Sequence, residues 1–155
     1  MPSLRQTGQM NIRVLGTGDD DLVLAASHLF DAPANRSATA RFLNTADDHL
    51  LIAYEGEHAV GFISGVEVTH PDKGTEMFIY ELAVDGEFRR RGIAGALIDA
   101  LKSVALERGC YGMWVLTDED NEAALATYVG AAGSSEPGQV VVVWHFTQSA
   151  PNDSL

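Results

Sequence analysis

The chain has 155 residues, 46% of them hydrophobic, which suits a single compact domain with a core of its own. Its 22 acidic and 10 basic residues leave a net charge of −12, the wrong sign for a protein that gains affinity by neutralising nucleic-acid phosphates. No run approaches the ~18 consecutive apolar residues of a membrane span; Met1–Gln9 lacks a secretory apolar stretch, and the single cysteine, Cys110, forbids a disulfide framework or a cysteine-based zinc site.

A soluble, cytoplasmic chain is expected, with neither a membrane nor a nucleic acid as partner. Its acidity either keeps the surface solvated or concentrates a cationic substrate, and composition leaves both open. Residues 1–10 and 148–155 read as flexible ends around one domain, 11–147. Asn11–Gly16 carries Ile12, Val14 and Leu15 and predicts a short strand. Asp19-Asp20-Asp21 ahead of Leu22, Val23, Leu24, Leu29 and Phe30 marks a helix start. Ser37–Asn44 predicts a second, shorter helix. His49–Tyr54 and Ala59–Val68 are apolar runs around Glu55-Gly56-Glu57-His58, the signature of a hairpin.

After the loop His70–Thr75, Glu76–Val84 is the clearest strand in the chain. A polar loop, Asp85–Arg91, leads into a helix over Gly92–Arg108, with Ile93, Leu97, Leu101 and Val104 at helical spacing and Gly109 as its cap. Gly112–Thr117 predicts a strand and Asp120–Val129 a helix. Gln139–Thr147, nearly all apolar, predicts a buried last strand. This order defines an α/β fold: one mixed, mostly antiparallel central sheet flanked by helices.

Chemistry concentrates around the strand Glu76–Val84. Three of the ten basic residues are consecutive, in Arg89-Arg90-Arg91-Gly92-Ile93-Ala94-Gly95. A helix starting just after a strand presents unpartnered N–H groups and the positive end of its dipole, which together bind an anion. Taken alone, the segment equally fits a solvated loop. It is neither a Walker loop nor a dinucleotide fingerprint.

Glu81 interrupts the apolar run Phe78–Val84, where a charge is costly unless paired or functional. Alternation places Glu81 with Ile79 and Ala83 on one face, and Tyr80 with Leu82 and Val84 on the other. A glutamate paired to an arginine or facing solvent is the structural alternative. Asn121, Ala124 and Tyr128 share one face of their helix. Asp118 and Glu119 follow a strand end and suit a cation, Glu136 less so, and Asp120 reads as a helix cap. The five histidines have no metal-ligand spacing, and no metal is expected.

Arg89-x-x-Gly92-x-Ala94 behind Glu81-Leu82-Ala83-Val84, with Asn121-x-x-Ala124-x-x-x-Tyr128 at a later helix, resembles the GCN5-related N-acetyltransferases (GNAT) over most of 11–147. The resemblance implies acetyl-CoA as donor and no metal. The amides of Arg89, Arg90, Arg91, Gly92, Ile93, Ala94 and Gly95 would hold the CoA diphosphate. Leu82, Ala83 and Val84 would pair with the pantetheine arm, which Asn121 and Ala124 also meet. The Val84 N–H would face the thioester oxygen, Tyr128 would protonate the leaving thiolate, and Glu81 would take the amine proton, directly or through water. Val129-Gly130-Ala131-Ala132-Gly133 departs from the family's usual basic residue and Leu-Gly run.

Within that superfamily the chain is most similar to the aminoglycoside 3-N-acetyltransferases. The carriers are Phe78–Val84, Arg89–Ala94 and the ten residues after it, Leu29-Phe30-Asp31 and Trp144-His145-Phe146. The implied substrate is an aminoglycoside antibiotic acetylated on its 3-amino group, with antibiotic resistance as the outcome. Tyr80, Glu81 and Asp118 would meet it, and Glu119 and Glu136 are further candidates for its ammonium groups. A homodimer is compatible with the resemblance. Two alternatives stand beside this reading: acetylation of another amine (polyamine, amino acid or protein), and a non-catalytic acyl-CoA-binding regulator.

Overall fold

The computed structural model describes residues 10–147. The expected flexible ends therefore lie outside the described residues, except Met10, which opens the first strand. In chain order the elements are β1 (Met10–Val14), α1 (Asp20–Ala25), α2 (Arg36–Leu43), β2 (Asp48–Glu55), β3 (His58–His70), β4 (Gly74–Val84), α3 (Ile93–Glu107), β5 (Met113–Val115) and α4 (Glu122–Gly130), with 3₁₀ turns at Ser27–Leu29 and Gly86–Phe88. The sheet order is β1-β2-β3-β4-β5, antiparallel throughout except for the parallel pair β4–β5. No helix of the described residues is long and apolar enough to cross a membrane.

The sheet separates two apolar cores. On one face α3 lays Ile93, Leu97, Ile98 and Leu101 over Leu51, Ile63, Met77 and Ile79. On the other, α1, α2 and the first 3₁₀ turn bring Val23, Leu29 and Leu43 against Leu50, Ile52 and Phe62. Gly61 lets the start of α3 come down onto the sheet. A Cβ there would lie 3.1 Å from the Ala83 carbonyl and 3.2 Å from Ile93. The far end of α3 closes as predicted, with Gly109 at φ +78° and Cys110 N–H reaching back to the Ala105 carbonyl. There Glu67 accepts hydrogen bonds from Arg108 and His49, tying α3 to the β2–β3 hairpin.

Several boundaries differ from expectation for local reasons. The first helix stops after six residues, because Ala26 N–H turns to the Val23 carbonyl and the chain tightens into the 3₁₀ turn. The second begins one residue earlier than expected, capped by Asn35, whose side chain accepts the Ala38 N–H. The last helix is capped by Asn121, not Asp120.

Two differences matter more. Ser64 pairs with Glu81 and Gly65 with Ile79, which leaves Tyr80 as an extra residue in a β-bulge. Strict alternation therefore fails at this point: Leu82 and Val84 share a face as expected, but Ile79 lies with them and not with Ala83. Ile79 packs with Leu82 and Val84 in the α3-side core, while Ala83 packs on the α1–α2 side. The predicted last strand, Gln139–Thr147, is not a strand. It runs irregularly, joins no ladder and is exposed throughout. Its composition encodes a need for burial without encoding a neighbour.

Candidate active site

The site begins where the sheet opens. β5 pairs with β4 only at Met77↔Met113, Phe78↔Trp114 and Ile79↔Val115. Beyond Ile79 the two strands part, and one edge of Tyr80–Val84 has no neighbour among the described residues. Successive N–H groups of a strand point to opposite edges. Asp85 N–H bonds the Val60 carbonyl on the β3 side at 2.8 Å, so the N–H of Val84, and that of Leu82, faces the open edge. Leu82, Ala83 and Val84 are half-buried and line it.

The N-terminus of α3 closes the end of this cleft. Arg90 takes φ 63°, unusual for a residue with a side chain, and Gly92 takes φ 77° as the helix N-cap. The first helical bond runs from Ala96 N–H to the Gly92 carbonyl, which leaves the amides of Ile93, Ala94 and Gly95 ahead of the ladder. No side chain caps this end, and a Cβ at Gly92 or Gly95 would meet open space. Backbone donors, a positive dipole end and free room fit a diphosphate. Arg89 and Arg90 are exposed and carry no ion pair among the described residues. Arg91 is engaged otherwise, 3.5 Å from Glu55 and stacked 5.0 Å above the Phe88 ring.

On the opposite wall, Asn121 spends its side-chain oxygen on the Ala124 N–H at 3.1 Å. Its amide group stays available to a ligand. Tyr128, two turns further along α4, is half-buried, and burial raises its phenol above the ordinary value. It lines an apolar cavity of about 310 Å³ between α3, α4 and β5, with Ile79, Ile98, Cys110 and Val115 among the other walls. That cavity reaches neither Glu81 nor Arg89–Gly95, so it adjoins the cleft rather than forming it.

The bulge carries Glu81 onto the α1–α2 side, where its carboxyl shares a hydrogen bond with Asp31. Burial, then the nearby Asp31 charge and that hydrogen bond, raise Glu81 above the usual carboxylate range. It is half-buried, and no arginine pairs with it among the described residues. Asp31 was visible in the sequence only as part of Leu29-Phe30-Asp31; its role at Glu81 depends on a contact spanning fifty positions. Beside the two acids, Trp114 stacks on Phe78 at 4.3 Å and Tyr80 meets Phe78 edge-on. Tyr80 is 70% exposed. These aromatics are a second feature that strand reading missed, because the β4–β5 register aligns them.

Asp118 and Glu119 sit exposed in the loop after β5. Glu136 is exposed beyond α4 and makes no ion pair or hydrogen bond among the described residues. The histidines are less scattered than their spacing suggested. His28 and His58 stack at 5.3 Å and, with Asp85, bring three ligating atoms within 4.8 Å of one another. One ring nitrogen of His28 is satisfied by the Ala59 carbonyl at 2.9 Å.

The model of the acetyltransferase (GNAT) family matches residues 20–131, and the chain belongs to that family. An acetyltransferase of Pectobacterium atrosepticum is 36% identical over 88 residues, which is 57% of this chain and 59% of the relative. The chain thus spans little more than half of that relative's length. Among solved structures, an aminoglycoside acetyltransferase from an uncultured soil metagenomic sample, in complex with sisomicin, superposes with a TM-score of 0.80 at 22% identity, over 90% of this chain and 97% of the other. The aminoglycoside N-acetyltransferase AAC(6')-Iy, bound to a bisubstrate analogue joining CoA to an acetylneamine, gives 0.74 at 21% identity, over 88% and 98%. At these identities the likeness shows a shared fold.

Proposed function

We propose that the chain is an acetyl-CoA-dependent N-acetyltransferase acting on an amine of a cationic small molecule, the 3-amino group of an aminoglycoside antibiotic. The observation that carries this reading is the placement of Glu81, lifted by the bulge beside the open edge of β4 and held above its ordinary pKa. Acetyl-CoA supplies an activated thioester. The amides of Ile93–Gly95, with Arg89 and Arg90, hold its diphosphate, and the open edge at Leu82 and Val84 aligns its arm. The Val84 N–H donates to the carbonyl oxygen as charge develops there.

A protonated amine is not a nucleophile. Glu81 accepts its proton, directly or through one water, and a pKa raised above the ordinary carboxylate value makes it a stronger base. Tyr128 holds the proton for the departing sulfur. Asp31 and Glu81, the faces of Tyr80 and Trp114, and the loop acids Asp118 and Glu119 attract a molecule carrying several ammonium groups. In the cytoplasm this reaction would confer aminoglycoside resistance.

The test is thiol release from acetyl-CoA with gentamicin-type aminoglycosides, spermidine and free amino acids in parallel, followed by mass spectrometry and NMR of the product. Turnover of an aminoglycoside with the acetyl group on the 3-amino nitrogen is expected. A 6′-acetylated product overturns the regiochemistry, and turnover of the other amines alone overturns the substrate class. Tight CoA binding with no turnover of any amine would leave the non-catalytic regulator as the answer.

A further inference from the structure

Three side chains that the cleft does not use converge from distant parts of the chain. His28 stands in the 3₁₀ turn after α1, His58 opens β3 and Asp85 follows the last residue of β4. One ligating atom from each lies within 4.8 Å of the other two. The rings of His28 and His58 stack at 5.3 Å, 12° from parallel, and His58 Nε2 is 3.9 Å from Asp85 Oδ2. That separation is too long for a hydrogen bond, so the two groups are apposed and not joined. None of the three has a role in the proposed acetyl transfer.

Each of them is oriented by a second partner. His28 Nε2–H donates to the Ala59 carbonyl at 2.9 Å. A carbonyl only accepts, so this bond fixes the tautomer and leaves the other ring nitrogen with its lone pair. Asp85 Oδ1 accepts the Glu87 N–H at 3.2 Å, while Oδ2 is turned to His58. The His58 ring lies against Phe88 at 5.7 Å. Outer hydrogen bonds of this kind are what hold the histidines and carboxylates of metal sites in place. An ion about 2.0–2.2 Å from two ligands in tetrahedral geometry keeps them about 3.4 Å apart. Closing His58 and Asp85 to that spacing takes about half an ångström, and the His58 side chain, 56% exposed, has room to move that far.

We propose that His28, His58 and Asp85 bind one divalent transition-metal ion of the zinc class, with water completing its coordination. Two imidazoles and one carboxylate suit zinc, nickel or copper, and disfavour magnesium and calcium, which take oxygen ligands. The ion is a clip. It ties the turn after α1 to the start of β3 and to the loop that leaves β4. That loop is Asp85–Arg91, and a line of contacts runs along it from the site: His58 against Phe88, and Arg91 stacked 5.0 Å above the Phe88 ring. Bound metal therefore stiffens the loop that leads into α3. The site needs neither acetyl-CoA nor an amine.

Equilibrium dialysis of the full chain against zinc chloride, without acetyl-CoA, should give one ion per chain, and zinc should raise the melting temperature. His58→Gln and Asp85→Asn should each abolish the stoichiometric binding and the thermal shift, and keep the circular dichroism of the parent. His70→Gln, at an exposed histidine paired to Asp72 outside the cluster, should keep both. In an NMR titration of the parent, the ring signals of His28 and His58 should shift together and saturate at one equivalent of zinc. No stoichiometric binding overturns the proposal, as does binding that survives both cluster variants or is lost with His70→Gln. A titration that moves only one of the two rings also overturns it, because the ion then sits on a single histidine.

Discussion

Two stretches of this molecule leave strand backbone unpaired, and what surrounds them could hardly differ more. Along Tyr80–Val84 the open edge of β4 has Glu81 beside it, half-buried side chains lining it and the uncapped start of α3 at its end. Along β5 and Val140–Phe146 the unpaired backbone keeps company with valines, tryptophans and a phenylalanine. Charge and a helix N-terminus beside an open edge suit a polar ligand that supplies its own acceptors. Bare apolar side chains beside an open edge suit another strand, since water cannot compensate them. Exposure of backbone does not separate the two uses; the neighbouring side chains do.

The largest expected effect tests the ligand half of this contrast. Glu81→Gln keeps the shape and removes the base, so kcat should fall by about 10²–10⁴ while KM for acetyl-CoA changes little. An unchanged kcat would mean that the acid beside the β4 edge serves no chemistry. Next, Ile79→Ala, buried in the α3-side core, should cost about 2–5 kcal/mol in denaturant unfolding.

Much of this was legible in the chain itself. Helical spacing from Ile93 onward and the apolar run before Val84 placed α3 and β4, with the basic cluster Arg89–Arg91 between them. The bulge was not legible, because it is a property of register. Nothing in Phe78–Val84 says that Gly65 will face Ile79 and leave Tyr80 without a partner. The contact between Glu81 and Asp31, and the stack of Trp114 on Phe78, likewise exist only once separate segments are packed. Val140–Phe146 shows the same boundary from the other side. Its hydrophobicity predicted burial, and the structure leaves it exposed, because composition says nothing of which surface would cover it.

Smaller effects sharpen the site. Asn121→Ala should cost about 1 kcal/mol through the lost α4 cap and raise KM for acetyl-CoA, read by unfolding and steady-state rates. The smallest concerns pH. Burial, and then Asp31, hold the Glu81 carboxyl above its ordinary value, so the folded chain keeps this proton to higher pH than the unfolded chain. The associated stability is full below the unfolded value and is lost as pH rises through the folded one. Asp31→Asn should lower the Glu81 pKa and move the acid limb of kcat/KM to lower pH. A limb that stays in place would mean that Asp31 does not tune Glu81.

Among the described residues β5 itself pairs with β4 at only three positions, so the join on that side of the cleft is a short one. A ligand lying along Tyr80–Val84 supplies the missing rungs, so binding and stiffness become a single quantity. The amides of Leu82 and Val84 should then exchange more slowly with solvent in the bound state, by hydrogen-exchange NMR. Any substitution that loosens the three-pair join should weaken the grip on that ligand without touching it.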